Sequence, residues 1–414
     1  MILNKIANKK QIFAWSLYDF ANQPFSTIIV TFIYGPFFIE YIANDRESGD
    51  SLWAFSISLT AIVVSFLSPF LGSISDRGGY RKIFLLLFTL IASIFSMLLF
   101  FPSAGDVFLA LSIFTIANIS FELGHVFYNS YLMDITNKDS FGKVSGFAWG
   151  LGFFGGLLAL FLSIMLFPEI KDLDPFGVKK VNFLIGCWFI FFSLPLFLFI
   201  NEEKKSIKKI DFLESYRSIA STFNNISNYK KVFSFLLARL FYNDALITIF
   251  ALGGIYASET LGFSIYENFI LGIVLSLSAG IGSIIFGFIE DKIGFKKVIN
   301  ISLIVLILAT LLAFIAPVTN FEKQLFWIAG VLMGLMIGPN QSCSRSLMSR
   351  LTPVDKKNEF FGFFAFTGKA TSFIGPLIFG LISFYYSQQF ALLIIVFLFL
   401  VGLILFNKIR FDEE

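Results

Sequence analysis

Charge is scarce in this sequence: Asp, Glu, Lys and Arg together make up 14% of 414 residues. Histidine occurs once, as His125, and cysteine twice, as Cys187 and Cys343, all inside apolar runs. Cysteines so placed supply neither a disulfide framework nor a metal-ligand set. No CxxC, HExxH, GxSxG or Walker-type loop occurs, which argues against a soluble-type catalytic site and against an ATP-driven pump. No nucleophile, base and metal combination appears, so no enzyme, no cofactor and no metal site are expected. The net charge is only +3, and no nucleic-acid partner is expected.

What abounds is apolar. Hydrophobic residues make up 57% of the chain, and Phe alone supplies 58. A soluble core of this length does not need that much apolar surface, so the chain reads as an integral membrane protein. Lys outnumbers Arg 23 to 8, a bias that points to an AT-rich genome and carries no functional information. The start, Met1 to Lys10, has three lysines and no cleavage-site pattern, so the first apolar span is expected to be an uncleaved anchor.

One stretch occurs twice. Gly72-Ser-Ile-Ser-Asp76-Arg77-Gly-Gly79-Tyr-Arg81-Lys82 returns, 215 residues later and without a gap, as Gly287-Phe-Ile-Glu-Asp291-Lys292-Ile-Gly294-Phe-Lys296-Lys297. A repeat at half the chain length implies two similar halves fused end to end. A bilayer core of roughly 30 Å needs about 20 apolar residues per helix. Twelve such spans are expected, near 12–42, 52–75, 81–102, 106–134, 140–167, 181–200, 232–258, 266–289, 297–317, 323–350, 358–386 and 388–408. The fold class is therefore all-α integral membrane: twelve transmembrane helices in two pseudo-symmetric six-helix halves, 1–200 and 232–414. Residues 201–231 are the linker between them.

With both termini in the cytoplasm, 23 basic residues fall on the cytoplasmic side and five on the other, namely Arg46, Lys171, Lys179, Lys180 and Lys323. The positive-inside rule then fixes that orientation and makes the linker cytoplasmic. Ile210, Leu213, Ala220 and Phe223 recur there at helical spacing; an amphipathic helix on the inner leaflet and a solvated linker both fit. Both motif copies occupy tight cytoplasmic turns. Asp76 and Asp291 end helices, where the macrodipole disfavours a carboxylate. Each needs a positive partner, either the basic residues beside it or the start of a helix from the other half. Symmetry pairs Asp76 with the start of span 11 near Phe360, and Asp291 with the start of span 5 near Phe141. A topogenic turn would account for one copy; two copies at equivalent places favour a conformational latch.

The turn resembles the signature loop of the major facilitator superfamily, with Tyr80 where that family often carries a basic residue. Twelve spans in two halves fit that resemblance along the whole chain.

Ionisable groups inside spans are costly, roughly 2.5–3.5 kcal/mol on insertion scales, so they usually face a cavity or a partner. Span 1 carries Asp19, Asn22, Gln23 and Ser26. Span 4 carries Asn118, Glu122, His125 and Asn129, whose 4, 3, 4 spacing makes one polar stripe. Span 7 has Arg239, Tyr242, Asn243 and Asp244; span 10 has Asn340, Gln341 and Arg345; span 11 has Lys369. A pattern that selects spans 1, 4, 7 and 10 is what a central cavity between two halves requires. Asp19 and Arg239, in equivalent places, fit a gate-locking ion pair, a substrate contact or a proton-linked pair. Glu122 fits a proton site or an ammonium contact, with a neutral hydrogen-bonded acid as the alternative. His125 fits packing better than proton relay. Arg345 and Lys369 would neutralise a substrate carboxylate or pair with Asp244 and Glu122. For Trp15 and Trp149, core packing is the default.

A narrower resemblance follows from Trp15-Ser-Leu-Tyr18-Asp19-Phe-Ala21-Asn22, from Phe127-Tyr128-Asn129 through Asp134-Ile135 to Gly142-Lys-Val-Ser-Gly146, and from Ala238-Arg239-Leu-Phe-Tyr242-Asn243-Asp244. Ser344-Arg345-Ser346 and Gly368-Lys369 through Gly375-Pro376 complete it. These segments resemble the vacuolar effluxer (autophagy-related) branch of the superfamily and its bacterial relatives. The resemblance implies an exporter of small solutes, with amino acids as the substrate of the fungal members. The expected function is a secondary transporter in a bacterial inner membrane, working by alternating access on a small zwitterionic solute. Exchange for, or coupling to, protons stays open. The expected partners are that solute, protons and membrane lipids, with the chain as a monomer. A lipid-moving protein or a non-transporting membrane receptor is the alternative.

Overall fold

The computed structural model describes residues 8–43, 45–201 and 209–411. Residues 1–7 of the basic N-terminal segment and 202–208 of the linker lie outside it. The longer helices are α1 (Lys9–Pro24), α2 (Arg46–Gly78), α3 (Arg81–Leu98), α4 (Val107–Ser130), α5 (Phe141–Leu166), α6 (Pro175–Phe199), α7 (Phe212–Asn224), α8 (Lys230–Leu261), α9 (Ile265–Ile293), α10 (Phe295–Ile315), α11 (Glu322–Leu351), α12 (Lys357–Lys369), α13 (Ile374–Tyr385) and α14 (Gln388–Asn407).

Local chemistry sets these limits. Asp45 starts α2 by accepting the Ser48 N–H at 2.8 Å, and that bond holds its carboxyl below the usual range. Gly79, at φ 72°, ends α2 in the left-handed region that glycine adopts without cost. Ser264 and Glu267 form a capping box at the start of α9. Beyond Pro24 the chain continues as wider π-type turns over Phe25–Phe32 and Phe38–Ile42. Buried hydroxyls inside helices donate to the carbonyl four residues back, as Thr89 does to Leu85 and Thr310 to Leu306. Groups so satisfied can lie in a bilayer.

Eleven helical segments among the described residues are long and apolar enough to cross a membrane. The expectation was twelve. The tenth, α11, is long enough but too polar, because its second half carries Asn340, Gln341, Ser342, Ser344, Arg345, Ser346 and Ser349, all but Gln341 buried. The eleventh is interrupted: α12 stops at Lys369 and α13 begins at Ile374. Phe66, Phe108, Phe161, Phe191 and Phe384 are exposed by more than 60%, as lipid-facing side chains are.

The chain forms two compact units that depart from the expected division into 1–200 and 232–414. The first comprises residues up to Thr136, Leu151–Ile219 and Pro353–Ala365; the second comprises Asn137–Gly150, Ala220–Thr352 and the chain from Phe366. Each unit thus includes the first turns of a helix from the other half of the sequence. In the first unit, a Cβ on Gly72 would lie 2.2 Å from the carbonyl oxygen of Asn358. In the second, a Cβ on Gly146 would lie 2.3 Å from the carbonyl oxygen of Ser283. Only glycine permits backbones this close.

The linker helix α7 has an unusual distribution. Ser215 and Thr222 are buried, whereas Phe212, Leu213, Tyr216 and Phe223 are exposed. Two small polar side chains face protein, and the outward side carries these apolar groups together with exposed Glu214 and Arg217.

Candidate functional site

In the first unit, Asp76 sits near the C-terminal end of α2, where the dipole works against an anion. The free N–H groups that open α12 compensate it. One carboxylate oxygen accepts the Asn358 N–H at 3.1 Å and the Asn358 side-chain amide at 2.7 Å; the other accepts the Glu359 N–H at 2.8 Å. The basic residues of the turn go elsewhere. Arg77 pairs with the carboxylate of Glu214 in α7 and donates to its carbonyl at 3.0 Å. Arg81 meets Asp134 at 2.6 Å and lies over the Tyr131 ring, and Lys357 reaches the same Asp134 at 2.5 Å. Glu359 accepts from Ser218 of α7.

The second unit repeats the arrangement with different chemistry. Asp291 accepts the N–H groups of Gly142 and Lys143, at 2.9 and 3.1 Å, at the start of α5. Gly287 packs against the Gly142 carbonyl and the Gly146 Cα. Arg350, near the end of α11, approaches Glu290 at 3.6 Å and Asp291 at 3.8 Å. The ion partner at the end of α4 is an acid, Asp134; at the end of α11 it is a base, Arg350. Gly294 holds φ 90° at the α9–α10 turn. Lys292 is exposed, and Lys296 points to the Ile409 carbonyl.

The polar rows inside the spans divide between the units. In the first, Asp19 and Asn22 are buried, while Gln23, Glu122, His125 and Asn129 are half-buried. Glu122, His125 and Asn129 therefore share one less covered side of α4. His125 packs edge-on against Phe121. Trp15 is fully buried and stacks on Tyr128; its indole donates to the Tyr128 carbonyl, and the Tyr128 hydroxyl donates to the Trp15 carbonyl. Trp15, Tyr18 and Tyr128 thus join α1 to α4 as core.

In the second unit, α8 brackets the interruption between α12 and α13. Arg239 donates to Thr367 at 3.2 Å, and the Asn243 amide donates to the Gly368 carbonyl at 3.2 Å. Asp244 accepts the Gly375 N–H at 3.0 Å and so caps α13. Gln341 donates to Asn243 at 3.3 Å, and Tyr242 shares a hydrogen bond with Ser344. Arg345 is buried and holds α5, donating to the Ser145 hydroxyl at 2.9 Å and carbonyl at 2.8 Å, with Trp149 beneath its guanidinium. The structure thus joins Gln341 to Asn243 and brings Asn243 and Arg239 to neighbouring residues at the end of α12, Gly368 and Thr367. It sets Asp244 at a helix start and Lys369 at a helix end. No group of three or more metal-ligating side chains occurs among the described residues.

Sequence reasoning did not single out Glu214, Glu290, Arg350, Asn358 or Glu359. For Arg350 a signal existed, since it follows Asp134 by 216 residues, close to the repeat offset.

A profile of vacuole effluxer Atg22-like proteins matches residues 41–141 and 133–413. An uncharacterised MFS-type transporter of Bacillus subtilis (strain 168), YxiO, is 28% identical over 410 residues, covering 96% of this chain and 94% of that one. Autophagy-related protein 22 of Pichia angusta is 22% identical, covering 90% and 86%. Among solved structures, a bacterial homologue of the iron transporter ferroportin in the outward-facing state superposes with a TM-score of 0.73 at 13% identity, covering 96% and 98%. The proton:xylose symporter XylE superposes with a TM-score of 0.71 at 15% identity, covering 97% and 96%. These structures share the fold.

Proposed function

The chain belongs to the vacuole effluxer Atg22-like family of major facilitator-type proteins, and from that premise we propose that it exports a small zwitterionic solute, an amino acid, by alternating access. The observation that carries this reading is the placement of opposite charge. Asp19 and Glu122 lie in the first unit, and Arg239 and Arg345 in the second beside the helix-capping Asp244, each on a polar row of its helix. Carboxylates and guanidiniums in a membrane are usually held for function, and a zwitterion carries charges complementary to each kind. Twelve spans, cytoplasmic termini, a bacterial inner membrane and a monomer complete the proposal. Glu122 is its proton-coupling residue, and the contacts of Asp76 and Asp291 with helix starts are its gating devices on the cytoplasmic side.

The test is a thermal-unfolding screen of the purified protein in detergent against amino acids, dipeptides, sugars, nucleosides and organic acids. A ligand at 100 times its Kd stabilises by about 2.7 kcal/mol. The expected result is a shift with one class of amino acid that Asp19→Asn or Arg345→Gln removes. A shift with another solute class alone rejects the amino acid; silence across the panel from folded protein turns the reading toward lipid movement.

A further inference from the structure

The two motif copies differ at the position before the aspartate: Ser75 in the first, Glu290 in the second. Glu290 is 1% exposed. One carboxyl oxygen meets the Ser346 hydroxyl at 2.5 Å and Arg350 at 3.6 Å; the other has no hydrogen-bond partner among the described residues. Arg350 also serves Asp291, so two adjacent carboxyls share one guanidinium. Asp291 has the Gly142 and Lys143 N–H groups besides; Glu290 has no such donors.

The Lys143 side chain at the start of α5 adds positive charge at Asp291, and the remaining neighbours add none at Glu290. From α11, the Cys343 thiol faces the Glu290 carboxyl and donates to the Phe295 carbonyl at 3.5 Å. From α10 come that carbonyl and the Phe295 ring, which lies under Arg350, while Lys296 is directed to Ile409. From α5, the Gly142 backbone covers the carboxyl, and a Cβ there would lie 2.8 Å from its carbon. Both acids also sit in the last turn of α9, at the negative end of the helix dipole. A second buried anion in this place would lack compensation.

We propose that Glu290 is a proton-binding site, occupied while the start of α5 covers it and emptied when residues 141–146 move away. On opening, the carboxyl O–H bond breaks, the proton passes to water, and the carboxylate is solvated in the same step. Closing requires its return. The site deepens the transporter reading and rests on it for its role in coupling, but proton binding here is measurable without any solute.

The experiment is hydrogen–deuterium exchange of full-length protein in lipid nanodiscs over a pH series, corrected for intrinsic exchange and followed at residues 141–150. If one proton leaves per opening, protection falls about tenfold per pH unit above the midpoint. Glu290→Gln, a neutral near-isostere, should make protection independent of pH while leaving the segment protected. Infrared spectra should show a protonated carboxyl band in the parent that Glu290→Gln removes, a readout that survives if the variant alters packing. Wild-type slope retained in Glu290→Gln, a parent without slope, or an unchanged carboxyl band would each overturn the proposal. Absence of transport for every solute would instead refute the transporter reading and leave these results standing.

Discussion

Replacing Asp76 by Asn changes one atom and one charge at the end of α2, and the consequence can be worked from its three contacts. The carboxylate receives the Asn358 N–H and side-chain amide on one oxygen and the Glu359 N–H on the other. An amide keeps one oxygen and turns an NH₂ toward a donor. One buried N–H then loses its acceptor, which costs about 1–3 kcal/mol. The attraction between the carboxylate and the start of α12 also goes, worth about 0.3–1 kcal/mol. Together these weaken the contact by about 1.3–4 kcal/mol, a shift of roughly 10- to 700-fold in its equilibrium. The Ser130 hydroxyl, which donates to the Asn358 side-chain oxygen, holds that amide in its orientation, so turning it to meet the new NH₂ would break a second hydrogen bond.

Exchange at residues 357–362 should therefore accelerate by up to that factor in Asp76→Asn, and by less at residues 141–150, which are held by Asp291. Solute turnover should change more than solute affinity, because none of the proposed solute contacts is touched. Unchanged protection at 357–362 would refute the energetic reading of the three contacts. An equal loss of affinity and turnover would refute the gating role.

Two further outcomes follow from contacts of opposite character. Gly146→Ala places a methyl 2.3 Å from the Ser283 carbonyl and 2.8 Å from the Gly287 Cα; neither is the end of a flexible side chain, so α5 and α9 must separate. The cost is about 1–3 kcal/mol, set against about 1 kcal/mol gained in helix propensity, and thermal unfolding should show a net loss; an unchanged midpoint would argue against the close approach. Glu214→Ala removes the partner of Arg77, but both side chains are about half exposed, and such pairs contribute about 0–1 kcal/mol. Its unfolding midpoint should match the parent's, and a large drop would show that α7 clamps the motif turn.

The spans were legible because bilayer length and apolar content are read directly from windows of sequence. The expected 232–258 corresponds to Lys230–Leu261, and 297–317 to Phe295–Ile315. The interruption after Lys369 was not legible in this way, since Ala370–Phe373 remains apolar enough to pass through a hydropathy window. Its local signal is Pro376, which lacks an N–H and so cannot continue the hydrogen-bond ladder from α12 into α13. The decisive partner of Gly375 lies 131 residues away in Asp244, whose carboxylate caps the new helix there.

The motif aspartates show where sequence reasoning reaches further. An anion at the end of its own helix demands a donor, and a repeat restricts where that donor can be. Those two statements led to the starts of the fifth and eleventh spans, and the contacts lie there, at Gly142 and Lys143 and at Asn358 and Glu359. The same logic left the neighbouring bases open as the alternative partners, and in the first turn they are engaged elsewhere. Arg77 and Arg81 are taken by Glu214 and Asp134, acids that no local spacing connects to the motif. The two copies therefore hold the same backbone contact with unequal charge around it. Asp134 at the end of α4 receives two bases, Arg81 and Lys357, while Arg350 at the end of α11 is divided between two acids, Glu290 and Asp291. Symmetry in the backbone thus coexists with asymmetry in charge: at the second turn two acids compete for one base, and uptake of a proton by Glu290, as proposed above, relieves that competition.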